Sequence, residues 1–281
     1  MRSLPVLWQK HSLLVVAVLA LVALLGSCVY TYRLEVEDPT RTWDATGLSA
    51  LEVVTANGSI GLEADFGAAV RLDVTRVCYG RSRADAEKYI DRVKIIDTVE
   101  SGRLRVEAEM PASGGRNYGA SFTGLVPADL DLDLHGSNGR VEVVDLKANV
   151  RVRTSNGLIE LTNTEGRAEL HTSNGAVKLK VHHGPVQAEN SNGAISADVA
   201  ELPPGEDVEL KTSNGAIDLL VPSGVSARFD ASTSNGRVTV SGFSNAQYEV
   251  NEPTHKKGTL GSGASEIELK TSNGNIELKA R

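Results

Sequence analysis

The sequence predicts an all-β protein: a parallel β-solenoid with coils of 18–22 residues and one short helix in an N-terminal insertion. Three observations predict it. Ser-Asn-Gly recurs at Asn138, Asn156, Asn174, Asn192, Asn214, Asn235 and Asn273, in steps of 18, 18, 18, 22, 21 and 38 residues, and a looser copy sits at Asn57. The same four positions around each asparagine are apolar. The positions between them are mostly polar, which is the alternation of half-buried strands.

Three residues after the asparagine stand Ile60, Val141, Ile159, Val177, Ile195, Ile217, Val238 and Ile276, and five after it the column runs from Leu62 to Leu278. Four before it the column runs from Val53 to Leu269, and six before it from Leu51 to Ile267. Each unit thus holds two strands that meet at Asn-Gly, where the inward parity shifts. That shift requires a bend, and both residues tolerate φ > 0. Asn-Gly is also a strong hairpin signal, so a stack of antiparallel hairpins is the competing reading. Identical columns favour coils stacked like on like. An acyltransferase hexapeptide helix would need an aliphatic residue every six positions. A calcium β-roll would need an aspartate that no copy supplies. Asn57, Asn138, Asn156, Asn174, Asn192, Asn214, Asn235 and Asn273 therefore read as a structural ladder of stacked amides. Asn273 is expected in the terminal coil, with one neighbour.

Residues 1–28 read as a targeting segment. Arg2, Lys10 and His11 precede an apolar run from Leu13 to Leu25. The run is short of the roughly 20 residues of a membrane span and suits a signal peptide. It closes with Leu25-Gly26-Ser27-Cys28. This resembles a bacterial lipobox, and the resemblance implies lipidation of Cys28. An uncleaved anchor continuing through Tyr32, and plain secretion, are the alternatives. Either anchor tethers the body outside the cytoplasm. With Cys28 acylated, Cys78 has no disulfide partner and reads as a small buried residue in the strand-like stretch Ala69–Tyr79.

Residues 29–45 read as a tether with a lead-in strand, and 46–281 as one solenoid domain, irregular over 65–125 and regular from 126. Ser82-Arg83-Ala84-Asp85 resembles a capping box and predicts a helix over 83–93. Pro111–Gly124 is rich in Gly, Ser and Asn and reads as a flexible loop. The 38-residue step leaves room for an extra coil or a protruding hairpin around Phe243–Gly263.

The net charge of −7 and 4% aromatic content argue against nucleic acid as a partner. His135 and His171 share a column two coils apart, about 9–10 Å, too far to share a metal. His182-His183 is expected in a turn, its side chains diverging. No nucleophile elbow, phosphate loop or Cys-x-x-Cys appears, and no metal or cofactor is expected. One outward column mixes Asp133, Arg151, Glu169, Gln187 and Glu209, a solvated face with lateral ion pairs. A polysaccharide-active β-helix enzyme is the remote alternative. The adjacent column is mostly basic. Its Arg153, His171, Lys211 and Lys270 form the candidate binding face, for an anionic cell-surface ligand or a protein.

The repeated Thr-Ser-Asn-Gly-x-Ile-x-Leu and the closing stretch Gly261–Leu278 resemble the bacterial DUF4097 β-strand-repeat family, described as candidate adhesins. The resemblance covers roughly residues 45–281. It implies a parallel β-solenoid at the cell envelope and carries over no catalytic motif. The resulting expectation is a non-enzymatic, lipid-anchored extracytoplasmic module for adhesion or for envelope binding and sensing. The alternative is a structural or regulatory partner of a membrane envelope-stress complex.

Overall fold

In the computed structural model, which describes residues 32–112 and 116–281, the alternating segments form two 12-stranded sheets. The strand before each Asn-Gly enters one sheet and the strand after it enters the other. Val150–Asn156, Ala168–Asn174 and Val186–Asn192 are consecutive neighbours in the first sheet. Ile159–Glu165, Val177–His183 and Ile195–Glu201 are neighbours in the second. These pairings are parallel and put like on like: Val152 faces Leu170, which faces Ala188. The Asn-Gly corner therefore joins two sheets and closes no hairpin, because the apolar columns on both sides of it enter one core. Leu51, Leu134 and Ile159 are fully buried, and of the four columns Val240 alone is only partly covered.

Spatial order departs from chain order at both ends. Strand Ala227–Asn235 does not stack on Val208–Asn214; Ser265–Asn273 lies between them, parallel to both. The chain passes over the place of one coil, builds coil 227–241, turns back through an antiparallel hairpin, Gln247–Asn251 with His255–Leu260, and fills the gap last. This hairpin is the expected protrusion near Phe243–Gly263, and it caps the end of the first sheet. Tyr248 meets Phe229 edge to face, with ring centroids 5.7 Å apart. The expectation that Asn273 occupies the terminal coil is corrected: that place belongs to Asn235.

The N-terminal irregularity hides a further coil. Strand Arg103–Glu109 runs parallel to Ala50–Asn57, and Tyr118–Pro127 runs parallel to Ile60–Asp65. Together they stack outside the first Asn-Gly coil with no Asn-Gly of their own. Pro111–Gly124 is thus no flexible loop over its second half, Tyr118–Gly124. Tyr118, Ala120 and Phe122 are buried, and the strand is held between Ile60–Asp65 and the antiparallel Ala69–Gly80. Of the stretch 29–45, read as a tether with a lead-in strand, the described residues 32–45 hold two strands. Tyr32–Glu37 and Arg41–Asp44 both pair antiparallel with Ala69–Gly80.

The helix spans Arg83–Ile90, three residues shorter than predicted. Ser82 caps it, accepting from the Asp85 N–H at 3.2 Å. Ala86 and Ile90 face the core. Gly80 admits the helix, since a Cβ there would meet the Ala86 nitrogen at 2.6 Å. Buried Arg116 closes this region with two bonds to Asp85, at 2.9 and 3.1 Å, and lies over the Tyr89 ring at 4.1 Å. The hydrogen bond from Arg116 is the main reason the Asp85 carboxyl sits below its ordinary range. Cys78 is buried in Ala69–Gly80 as expected, and burial pushes its thiol up. Cys28 and the Leu13–Leu25 run lie outside the described residues, among which no helix is long and apolar enough to cross a membrane.

Candidate binding face

The Asn-Gly corner sets the geometry of the face beside it. Each asparagine amide donates to the side-chain oxygen of the asparagine in the preceding coil in space: Asn156 to Asn138 at 2.9 Å, Asn174 to Asn156 at 2.9 Å, Asn192 to Asn174 at 3.0 Å and Asn214 to Asn192 at 3.0 Å. Asn138 donates to Asn57 at 2.7 Å, and Asn57 ends the row on the Tyr118 carbonyl at 3.1 Å. At the other end Asn273 donates to Asn214 and Asn235 to Asn273, both at 2.9 Å. All the amides point one way, so the ladder has a donor end capped by Tyr118 and an acceptor end at Asn235.

The bend does not need left-handed asparagine. No ladder asparagine has positive φ. The glycine is fixed by close approach instead. A Cβ on Gly157 would lie 1.9 Å from the Gly139 carbonyl oxygen, and one on Gly193 1.9 Å from that of Gly175. Stacked corners come so near that only a hydrogen fits.

Sequence reasoning missed a buried polar column two residues before the asparagine. Thr55, Thr154, Thr172, Asn190, Thr212, Thr233 and Thr271 are buried there. Most of them donate to the corner carbonyl of the adjacent coil: Thr55 to Ala120 at 2.8 Å, Thr233 to Gly274 at 2.9 Å, Thr271 to Gly215 at 3.0 Å. The hydroxyls of Thr154 and Thr172 make no such bond. The signal was the Thr of Thr-Ser-Asn-Gly, which recurs at one fixed offset from the asparagine.

These inner threonines raise an outer row of serines, Ser191, Ser213, Ser272 and Ser234, all exposed. Opposite them runs the predicted basic column, in the spatial order Arg153, His171, Glu189, Lys211, Lys270, Ser232. Between the rows lies an open groove of about 390 Å³, lined by His171, Glu189, Lys211 and Lys270 on one side and the serines on the other. Arg153 falls outside it. It shares a smaller depression with His171, Arg151 and Glu189.

The four predicted residues are not equivalent. Arg153 approaches Asp133 at 3.9 Å, and His171 approaches Glu189 at 3.5 Å. Lys211 is clamped by Glu209 and by Glu268, the latter at 2.7 Å, and those bonds, Glu209 first, raise its pKa. Lys270 has no ion-pair partner among the described residues. The acidic column thus neutralises most of the basic one, and a single ammonium remains uncommitted beside the serine row.

No three His, Cys, Asp or Glu side chains converge on a metal position among the described residues. The paired histidines end strand Val177–His183 and do not form a turn. His182 is fully buried, with Thr164 Oγ1 2.9 Å from Nδ1, and burial lowers its pKa from 6.5 to about 4. Beside it Val181 adopts φ 56°, where the register with Ile195–Glu201 slips. His183 turns outward, 3.5 Å from Glu201.

A family model, Toastrack DUF4097, matches residues 89–279. No curated protein matches the chain. Among solved structures, a candidate cell adhesion protein from Clostridium sporogenes aligns with TM-score 0.39 and 12% identity, covering 88% of this chain and 100% of that one. A candidate adhesin from Bacteroides fragilis aligns with TM-score 0.33 and 10% identity over 89% and 98% of the two chains. One from Parabacteroides distasonis aligns with TM-score 0.29 and 8% identity over 88% and 96%.

Proposed function

Because this chain belongs to the Toastrack DUF4097 family, we propose that it is a non-enzymatic, membrane-anchored extracytoplasmic solenoid that holds an anionic ligand along its lysine and serine face. One observation carries this reading: the uncommitted Lys270 lines a groove whose other wall is a row of exposed serine hydroxyls. Adjacent coils repeat every 4.7–4.9 Å or so along the sheet, so the hydroxyls form a regular row of donors. A polymer with evenly spaced carboxylate, sulfate or phosphate groups matches such a row, with the ammonium supplying the charge.

Immobilised dextran sulfate is a suitable probe. Lys270→Glu should weaken its binding roughly tenfold, about 1.4 kcal/mol, without moving the melting temperature. Binding by the parent should fall with salt, since exposed charges are screened over about 8 Å at physiological ionic strength. Unchanged affinity in Lys270→Glu, or binding indifferent to salt, would remove the groove from consideration. The anchor is assigned to Cys28 on its lipobox-like context. An alkyne fatty acid should label the parent and leave Cys28→Ser unlabelled; equal labelling would discard lipidation at that residue.

A further inference from the structure

We propose that Asn235-Gly236, at the acceptor end of the ladder, is a site of spontaneous covalent self-modification, and that stacking protects the other Asn-Gly pairs of this chain from the same reaction. Asn-Gly is the dipeptide in which a backbone nitrogen most easily attacks the preceding side chain, because glycine adds no steric bulk. The Gly236 nitrogen forms a bond to Cγ of Asn235. The Cγ–Nδ2 bond breaks, and the nitrogen leaves as ammonia, carrying the proton lost by the Gly236 amide. Water then opens the five-membered imide at either carbonyl, giving aspartate or isoaspartate. The net change is amide plus water to carboxylate plus ammonium, with no redox partner.

The reaction requires a glycine N–H that is not engaged and an asparagine side chain free to turn. Stacking denies both at seven corners. Gly157 N donates to Asn174 O at 2.8 Å, Gly193 N to Asn214 O at 2.8 Å, and Gly215 N to Asn273 O at 2.9 Å. Gly58, Gly139, Gly175 and Gly274 make the equivalent bond to the next coil in space. Six of those seven asparagines also both donate and accept in the side-chain row, and Asn57 accepts there and donates to the Tyr118 carbonyl. Asn235 only donates, to Asn273. Its Oδ1 accepts nothing and Gly236 N donates to nothing among the described residues, because no coil lies beyond. Gly236 is exposed, whereas the other corner glycines are half-buried. Two independent observations, the idle nitrogen and the half-satisfied amide, thus meet at one corner.

The product has a local consequence. A carboxylate at 235 faces the Asn273 oxygen with no proton to give, so the last rung of the ladder is lost and the end corner loosens. The modification would proceed from one end of the molecule only, since the donor end is closed by Tyr118.

The test is to incubate the full chain, folded in detergent micelles, in mildly alkaline buffer containing heavy-oxygen water. Tryptic peptides are then followed by mass spectrometry. Peptide 229–237 carries Asn235 and peptide 271–279 carries Asn273. In the folded protein Asn235 should convert roughly tenfold or more faster than any other ladder asparagine, because an amide held by native bonds reacts only when it opens locally. In concentrated urea the eight rates should converge, which separates the effect of stacking from the effect of flanking residues. Equal rates in the folded protein, faster conversion at an internal corner, or an Asn235 preference that persists in urea would each overturn the proposal.

Discussion

Asn273 donates its side-chain amide to Asn214 at 2.9 Å, although the whole of coil 227–241 lies between them in sequence. The same residue accepts from Asn235 at 2.9 Å. Asn273 is therefore an interior rung, and Asn235, earlier in the chain, is the end. Removing an amide from an interior rung breaks two bonds, and removing the end one breaks a single bond. Asn273→Ala should cost about 1–2 kcal/mol, close to Asn174→Ala, and Asn235→Ala roughly half that. Melting curves of the three variants decide it. Equal losses at Asn273 and Asn235 would contradict the threading.

The corner glycines should tolerate no side chain. Gly193→Ala puts a Cβ 1.9 Å from the Gly175 carbonyl oxygen and must force two coils apart. It should cost about 3 kcal/mol or more, the scale of severe overpacking. Gly205→Ala is the control: φ is +86° there, with nothing within 4 Å of the added carbon. It should cost only about 1 kcal/mol, from backbone strain. Chemical denaturation of both would show the difference, and similar midpoints would argue against steric stacking.

The buried threonines should respond in opposite directions. Thr271 donates to Gly215 O at 3.0 Å, so Thr271→Val loses a buried bond and should destabilise by about 1 kcal/mol. The Thr172 hydroxyl is buried without a partner, so Thr172→Val removes a desolvated group and should be neutral or stabilise by about 1 kcal/mol. Two substitutions of the same chemistry thus differ in sign. A matching loss in both would mean that the Thr172 hydroxyl is satisfied after all.

Acid should find His182. Burial holds its folded pKa at about 4, against 6.5 when unfolded. Below 6.5 the unfolded chain takes a proton that the folded chain refuses. Stability is therefore full above 6.5, falls as pH drops toward 4, and levels below that. The loss attributable to this one group is about 3 kcal/mol at 1.36 kcal/mol per unit. His182→Leu should flatten the profile between those limits, whatever it does to stability at neutral pH. A parallel slope in the variant would assign the acid sensitivity elsewhere.

Much of this molecule was legible in the chain because stacking repeats one environment many times. The apolar columns at Leu51, Val53, Ile60 and Leu62 recur in every Asn-Gly coil, and the core follows from them without any knowledge of long-range contacts. The asparagine ladder was legible for the same reason. The outward direction of the basic column could be read as well, since strand alternation fixes which residues face solvent. What alternation could not disclose was how far Glu209 and Glu268 would commit Lys211 and leave Lys270 free. That depends on side-chain reach across neighbouring strands, and on which strand is the neighbour.

By itself the sequence determined the coil, its corner and its inward faces, because these are set by local periodicity and by residue size. The tertiary structure alone decided the order of the coils. Any coil offers the same backbone edge and the same columns to any other, so the local code cannot say that 265–280 fits between 208–221 and 227–241. Nor can it say that 103–127, with no Asn-Gly, completes the other end. Hydrogen bonding between identical edges is degenerate. The connecting segments and the capping hairpin lift that degeneracy, and they thereby decide that the ladder ends at Asn235.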